Sequence, residues 1–217
     1  MTSHAHPDRP PRPLILAFPA EGPLVRLACR ELHLAANGTP AQKQVIGNPD
    51  HLPRPWEPAS CTDVDLRKQL WEWLEAVVVW LNDEYAWDVA AMIPTCWPAH
   101  PHLVHEVAVL ADQRRRAGLA LTSGALEEWH RYALPCFLDR LRGRLRSHCD
   151  DGHQEWPGRS RHTQHTSTRD TDLRDGRYAR DLDALHSSTS TPPGQRPPRL
   201  GVVDLETGQI LDGSPDD

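Results

Sequence analysis

The sequence predicts a mainly α-helical protein: a central antiparallel three-helix bundle with disordered flanks and a small C-terminal β-hairpin. Three observations lead there. Apolar residues recur at three- and four-residue intervals in three stretches between residues 62 and 147. Six of the eight Trp (Trp71, Trp73, Trp80, Trp87, Trp97 and Trp129) fall within 61–153, where large aromatics at helical spacing read as core. Outside that region the chain is rich in Pro, Arg, Asp, Ser and Thr. A hydrophobic fraction of 38% over 217 residues is thin for one core spanning everything.

Residues 1–13 are rich in Pro, His and Arg and have little to bury, so they read as a disordered tail. Leu14–Phe18 is a short apolar run, expected as a strand. Pro23–Leu34 reads as a helix with Pro in its first turn, although its apolar positions form no clean stripe. Asn37-Gly-Thr-Pro40, Asn48-Pro-Asp50 and Leu52-Pro-Arg-Pro-Trp-Glu-Pro58 make 35–60 a loop or extended connector. Residues 14–60 are thus a poorly defined N-terminal extension.

The bundle domain is expected over 61–153. Thr62-Asp-Val-Asp65 has capping-box spacing with Asp in place of Glu or Gln. Leu66, Leu70, Trp73, Leu74, Val77, Leu81 and Tyr85 then form one helical stripe, over about 63–86. Pro94 and Cys96-Trp-Pro-Ala-His-Pro101 break it. A second helix follows over 101–119 with Leu103, Val107 and Leu110 on one face. Ser123 is placed to cap a third, over 124–147, whose stripe is Leu126, Trp129, Ala133, Phe137, Leu141 and Leu145. Pro135 inside that stripe removes a backbone donor and should kink the helix. Residues 154–199 read as a disordered linker with a short helix near Tyr178–Leu185. Leu200–Leu211, two apolar runs around Glu-Thr-Gly, reads as a hairpin within 200–212.

Charge and targeting narrow the function classes. The net charge of −6 argues against a chain-wide nucleic-acid coat but allows a local basic patch. No apolar run approaches a membrane span, and the N-terminus lacks the pattern of a secretory signal, so a cytoplasmic protein is expected. Five Cys, an odd number widely spaced, then read as reduced thiols. Cys136, beside Phe137, reads as a small buried hydrophobe.

Two cysteines stand apart. Cys96-Trp-Pro-Ala-His100 and Cys149-Asp-Asp-Gly-His153 repeat one spacing, Cys followed four residues later by His. In an antiparallel bundle the second helix starts at the end where the third finishes, which brings both motifs to one end. Two thiolates and two imidazoles could then meet as a tetrahedral, structural zinc site, with His102, His105 and His148 as spare ligands. The competing reading is a capping loop whose polar groups face water.

Arg114, Arg115 and Arg116 on the second helix and Arg140, Arg142, Arg144 and Arg146 on the third offer a candidate phosphate-facing surface for sequence-independent nucleic-acid binding. The competing reading is complementary charge within one bundle, since the first helix carries Asp63, Asp65, Glu72, Glu75, Asp83 and Glu84. No enzyme motif is present. There is no Gly-rich phosphate loop, no Gly-x-Ser-x-Gly and no His-Glu-x-x-His, and His105-Glu106 lacks the second His that a metalloprotease helix needs.

The segments Trp71-Glu-Trp-Leu-Glu75, Ile93-Pro-Thr-Cys-Trp-Pro-Ala-His-Pro-His-Leu-Val-His-Glu106, Glu128-Trp-His-Arg131 and Cys149-Asp-Asp-Gly-His153 resemble a group of actinobacterial proteins of Streptomyces type. Such proteins are often carried on plasmids and integrated conjugative elements. The resemblance covers roughly 61–157 and implies a cytoplasmic accessory protein of a mobile element, near replication, transfer or regulation, but no functional residue. The sequence therefore predicts a non-catalytic interaction module with an unknown protein partner, a structural zinc at one bundle end, and nucleic-acid binding through the arginines as the alternative.

Overall fold

The computed structural model describes residues 13–145, 148–150 and 152–189, and the backbone of 202–203 and 210–211. The expected tail therefore lies almost wholly outside the described residues, as do Arg146 and 190–199. The described chain is mainly helical and divides into two compact units at Gln154/Glu155. Among the described residues no helix is long and apolar enough to cross a membrane.

The first unit is built around α3, Val64–Glu84. Its cap is Asp63, whose Oδ1 accepts the Leu66 amide at 2.8 Å, rather than the expected Thr62. Leu66, Leu70, Trp73, Leu74, Val77 and Leu81 face the core as their spacing predicts, joined by Val78 and Trp80. Tyr85, at the foot of the stripe, is partly buried.

The core also takes the extension at 14–37. Helix α1 (Pro23–Asn37) buries Val25, Ala28 and Cys29 against α3, and the Leu24 amide donates to Gln69 Oε1 at 2.9 Å. Leu14–Phe18 is not a strand. It is an extended strap held by side chains: Trp80 Nε1 donates to the Leu16 carbonyl (3.0 Å), Trp73 Nε1 to that of Pro19 (3.1 Å), and the Leu16 amide donates to Glu84. A short helix, α2 (Pro40–Ile46), interrupts the expected loop. Thr39 and Gln42 form a reciprocal capping box and Pro40 occupies the first turn.

Residues 85–100 double back over α3. The Asn82 side chain clasps Ile93, donating to its carbonyl at 2.9 Å and accepting its amide at 2.8 Å. Trp97 returns to mid-helix, its ring 5.9 Å from Trp71 and its indole donating to Glu75 at 2.9 Å. The connection is thus longer than a bundle turn. Trp87 within it is exposed, unlike the other five tryptophans of the region.

Helix α4 spans Pro101–Leu119. The third helix has three parts: α5 (Gly124–Glu128), a π-helical turn over Trp129–Ala133, and α6 (Leu134–Leu145). Ser123 makes no side-chain cap. The π turn is the physical form of the expected kink. Pro135 has no amide to offer Arg131 and would press on its carbonyl, so the preceding turn widens and Leu134 N donates to Trp129 O. The buried face then reads Trp129, Leu134, Phe137, Leu141, Leu145. Cys136 lies off that face and is exposed, not buried as expected. The α4 and α6 helices run antiparallel: Leu110 meets Trp129, Glu106 meets Arg140, and His100 meets Cys149.

In the second unit, α7 (Arg159–His165) and α8 (Thr168–Thr189) replace most of the expected disordered linker. The segment 159–189 contains no Pro, and Ser167 accepts the Asp170 amide at the start of α8. Poor core composition excludes burial, not helicity. Leu173, Tyr178, Leu182 and Leu185 are accordingly all exposed. Of the expected hairpin, Val202–Val203 and Ile210–Leu211 form a two-residue antiparallel ladder. Its turn lies outside the described residues, and a hairpin over 200–212 is not established.

Candidate metal centre

Cys96, His100, Cys149 and His153 converge at the start of α4. Each offers one ligand atom, and the four atoms lie within 4.8 Å of one another. His100 Nε2 sits 3.3 Å from Cys96 Sγ and 3.4 Å from Cys149 Sγ. A zinc ion with Zn–S of about 2.3 Å and Zn–N of about 2.0–2.1 Å separates tetrahedral S and N ligands by roughly 3.5 Å. The cluster is therefore close to the spacing a four-coordinate metal requires.

Each ligand is placed by a different device. Cys96 opens a single 3₁₀ turn, Trp97–Ala99, anchored to α3 by the Trp97 indole. His100 ends that turn and begins α4, with Pro101 fixing the first helical residue. Cys149 follows α6 with φ of 87°, a left-handed backbone that costs a non-glycine residue roughly 1 kcal/mol. This strain turns its thiol back toward His100. The Gln154 amide then points at Cys149 Sγ, 3.5 Å away, and Gly152 takes φ of 120° between the two ligands of the motif. An amide aimed at a sulfur stabilises thiolate charge.

Burial grades the site from inside to outside. His100 and Cys149 are buried, Cys96 is half-buried, and His153 is exposed with its ring 5.0 Å from that of His100. Burial lowers the His100 pKa, and the neighbouring His153, His102 and His148 lower it further, so the imidazole is held neutral, as a ligand must be. Burial raises the Cys96 thiol pKa, and Cys149 adds to that, so an incoming metal has to displace its proton. Of the expected spare ligands, His102 meets the His100 ring edge-on, centre to centre 5.8 Å, but has its Nε2 buried without a hydrogen-bond partner. His105 turns toward a groove between α4 and the third helix.

Most of the described candidate arginines have partners within the first unit. Arg114 lies among Phe18, Trp80 and Trp129, 5.2–5.7 Å from each ring centre. Arg115 is bound to the buried Asp112 at 2.6 Å. Arg140 and Arg144 both pair with Glu106, and Arg142 pairs with Asp88 and Asp139. Arg116 lines the groove, which has a volume of about 820 Å³ and also holds Cys136.

Sequence reasoning missed the supports rather than the ligands. The Trp97–Glu75 anchor and the left-handed turn at Cys149 carry no sequence signature. Asp151-Gly152 was the one available hint of a turn there. Comparison with protein-family models, with curated proteins and with solved structures finds no match for the chain.

Proposed function

We propose that the chain is a non-catalytic, zinc-stapled helical module that presents its surfaces to a protein partner. One observation carries this reading: four soft and borderline ligand atoms, two thiols and two imidazoles, meet within 4.8 Å from segments on either side of α4 and α6. Two Cys and two His fill a tetrahedral zinc and leave no position for substrate, which favours a structural ion over a catalytic one. The ion would tie the turn before α4 to the segment after α6, closing the end of the packed unit opposite its aromatic cluster. Service to a mobile element is proposed on the sequence resemblance alone. The internal pairing of Arg115, Arg140, Arg142 and Arg144 favours a protein partner over nucleic acid.

The test is elemental analysis of chain purified without a His tag, beside Cys149→Ser. The expected result is one zinc per native chain and loss of zinc in the variant, with retained helical circular dichroism. A native chain that stays metal-free after incubation with zinc would sink the reading.

A further inference from the structure

We propose that the Cys96/Cys149 pair makes this centre oxidant-releasable, with hydrogen peroxide converting the two zinc-bound thiolates into a disulfide and ejecting the metal. The proposal rests on the zinc reading above. Three features carry it. The two sulfurs lie within 4.8 Å of one another and each contacts the same imidazole nitrogen, so they start as neighbours. The site is open on one side, through half-buried Cys96 and exposed His153, whereas Cys29 and Cys61 are buried in the core. Finally, Cys96 precedes α4 and Cys149 follows α6, so a bond between them links the same two segments the metal links. Oxidation would exchange one staple for another instead of unfolding that end.

The chemistry balances. One thiolate gives an electron pair to peroxide, the O–O bond breaks, and a sulfenic acid and hydroxide result. The second thiolate attacks the sulfenic sulfur, the S–S bond forms, and the S–O bond breaks with loss of a second hydroxide. Two protons convert both hydroxides to water. The sulfur pair has lost two electrons and the peroxide oxygens have gained them. Zinc, left with two imidazoles, departs as Zn²⁺.

The experiment treats the zinc-loaded full chain with hydrogen peroxide in the presence of a chromogenic zinc indicator, then maps its peptides. Cys136→Ser, which removes the exposed thiol in the groove, is run in parallel. Expected are release of the bound zinc in both proteins, a Cys96–Cys149 cross-linked peptide, and recovery of zinc binding after dithiothreitol. Zinc retained at a peroxide dose that oxidises Cys136 in the native chain overturns the proposal. So does release with Cys96 and Cys149 unlinked or oxidised beyond the disulfide. A chain that carries no zinc before peroxide is added overturns the metal reading itself, and this proposal with it.

Discussion

The two ends of α4 are held by opposite means. Around Arg114, Phe18, Trp80, Tyr85 and Trp129 pack edge to face or tilted, with ring centres 5.0–6.3 Å apart. Around His100, roughly 20 Å away along the helix axis, two thiols and two imidazoles meet. The aromatic end is stabilised by burial, which needs no ligand and tolerates a wide pH range. The Cys/His end has two buried groups, His100 and Cys149, beside the half-buried Cys96 and the exposed His153. In the zinc-stapled module proposed above, it gains its stability from the ion that sits among them. One helix therefore joins a self-sufficient region to a conditional one.

The strongest way to break this contrast is at the aromatic end. Trp129→Ala removes a buried ring and its hydrogen bond to Leu110, and should cost about 3–5 kcal/mol in urea unfolding. Zinc content should stay unchanged. A variant that loses metal as well would show the two ends to be one cooperative device.

Next comes chelation. With free zinc at a hundred times its Kd, removing the metal should lower stability by about 2.7 kcal/mol. For a domain of this size that is a fall in Tm on the order of 5–10 °C. Amide exchange should rise around 96–100 and 149–154 and stay slow around Trp80 and Trp129. Uniform loss of protection would erase the distinction.

Alkaline titration probes the self-sufficient half. Burial first, and then Asp112 and Glu21, raise the Cys29 thiol from 9.0 to about 11, against the lowering effect of Arg115. The folded chain thus holds a proton that the unfolded chain has released between those values. Stability should fall as pH rises from 9 to 11, by on the order of 2 kcal/mol, and Cys29→Ala should flatten that slope. An unchanged slope in the variant would assign the loss to other groups.

The smallest effect is expected from Glu106→Gln, which unpairs Arg140 and Arg144. Both arginine side chains are about half exposed (46% and 50%), so the cost should stay below about 1 kcal/mol and shrink further in salt. A larger loss, accompanied by weaker zinc binding, would tie this ion pair to the neighbouring His102 and the metal end.

Much of this was legible in the sequence where one face of a helix is buried against another. The span 101–119 of α4 and the stripe of α3 follow from periodicity alone. The pairing of Cys96–His100 with Cys149–His153 follows from repeated spacing and the antiparallel run of α4 and α6. What escaped was set by side chains reaching across long sequence separations. The strap at 14–20 is held by indoles from Trp73 and Trp80, and no local pattern announces such bonds. α1 contributes only Val25, Ala28 and Cys29, too few to form a stripe. α2 was readable, since Thr39-Pro-Ala-Gln42 is a capping box hidden among turn residues. Cys136 reads as buried from its neighbour Phe137, but adjacent helical residues point about 100° apart, which puts its thiol off the buried face.

That pitch change has a consequence for how the chain tolerates length variation. The π turn at 129–133 holds one residue more than an α-helix would over the same rise. Trp129 and Leu134, five positions apart, share a face only because of it. After the turn each residue sits about 100° back from where uniform α winding would put it. Deleting a single residue there would restore regular winding and leave Phe137, Leu141 and Leu145 aligned with Trp129. Regular winding without the deletion would instead rotate them by about 100° and swing the Cys149 motif away from His100. The π turn absorbs the surplus residue, and the placement of Cys149 some twenty positions downstream depends on its doing so.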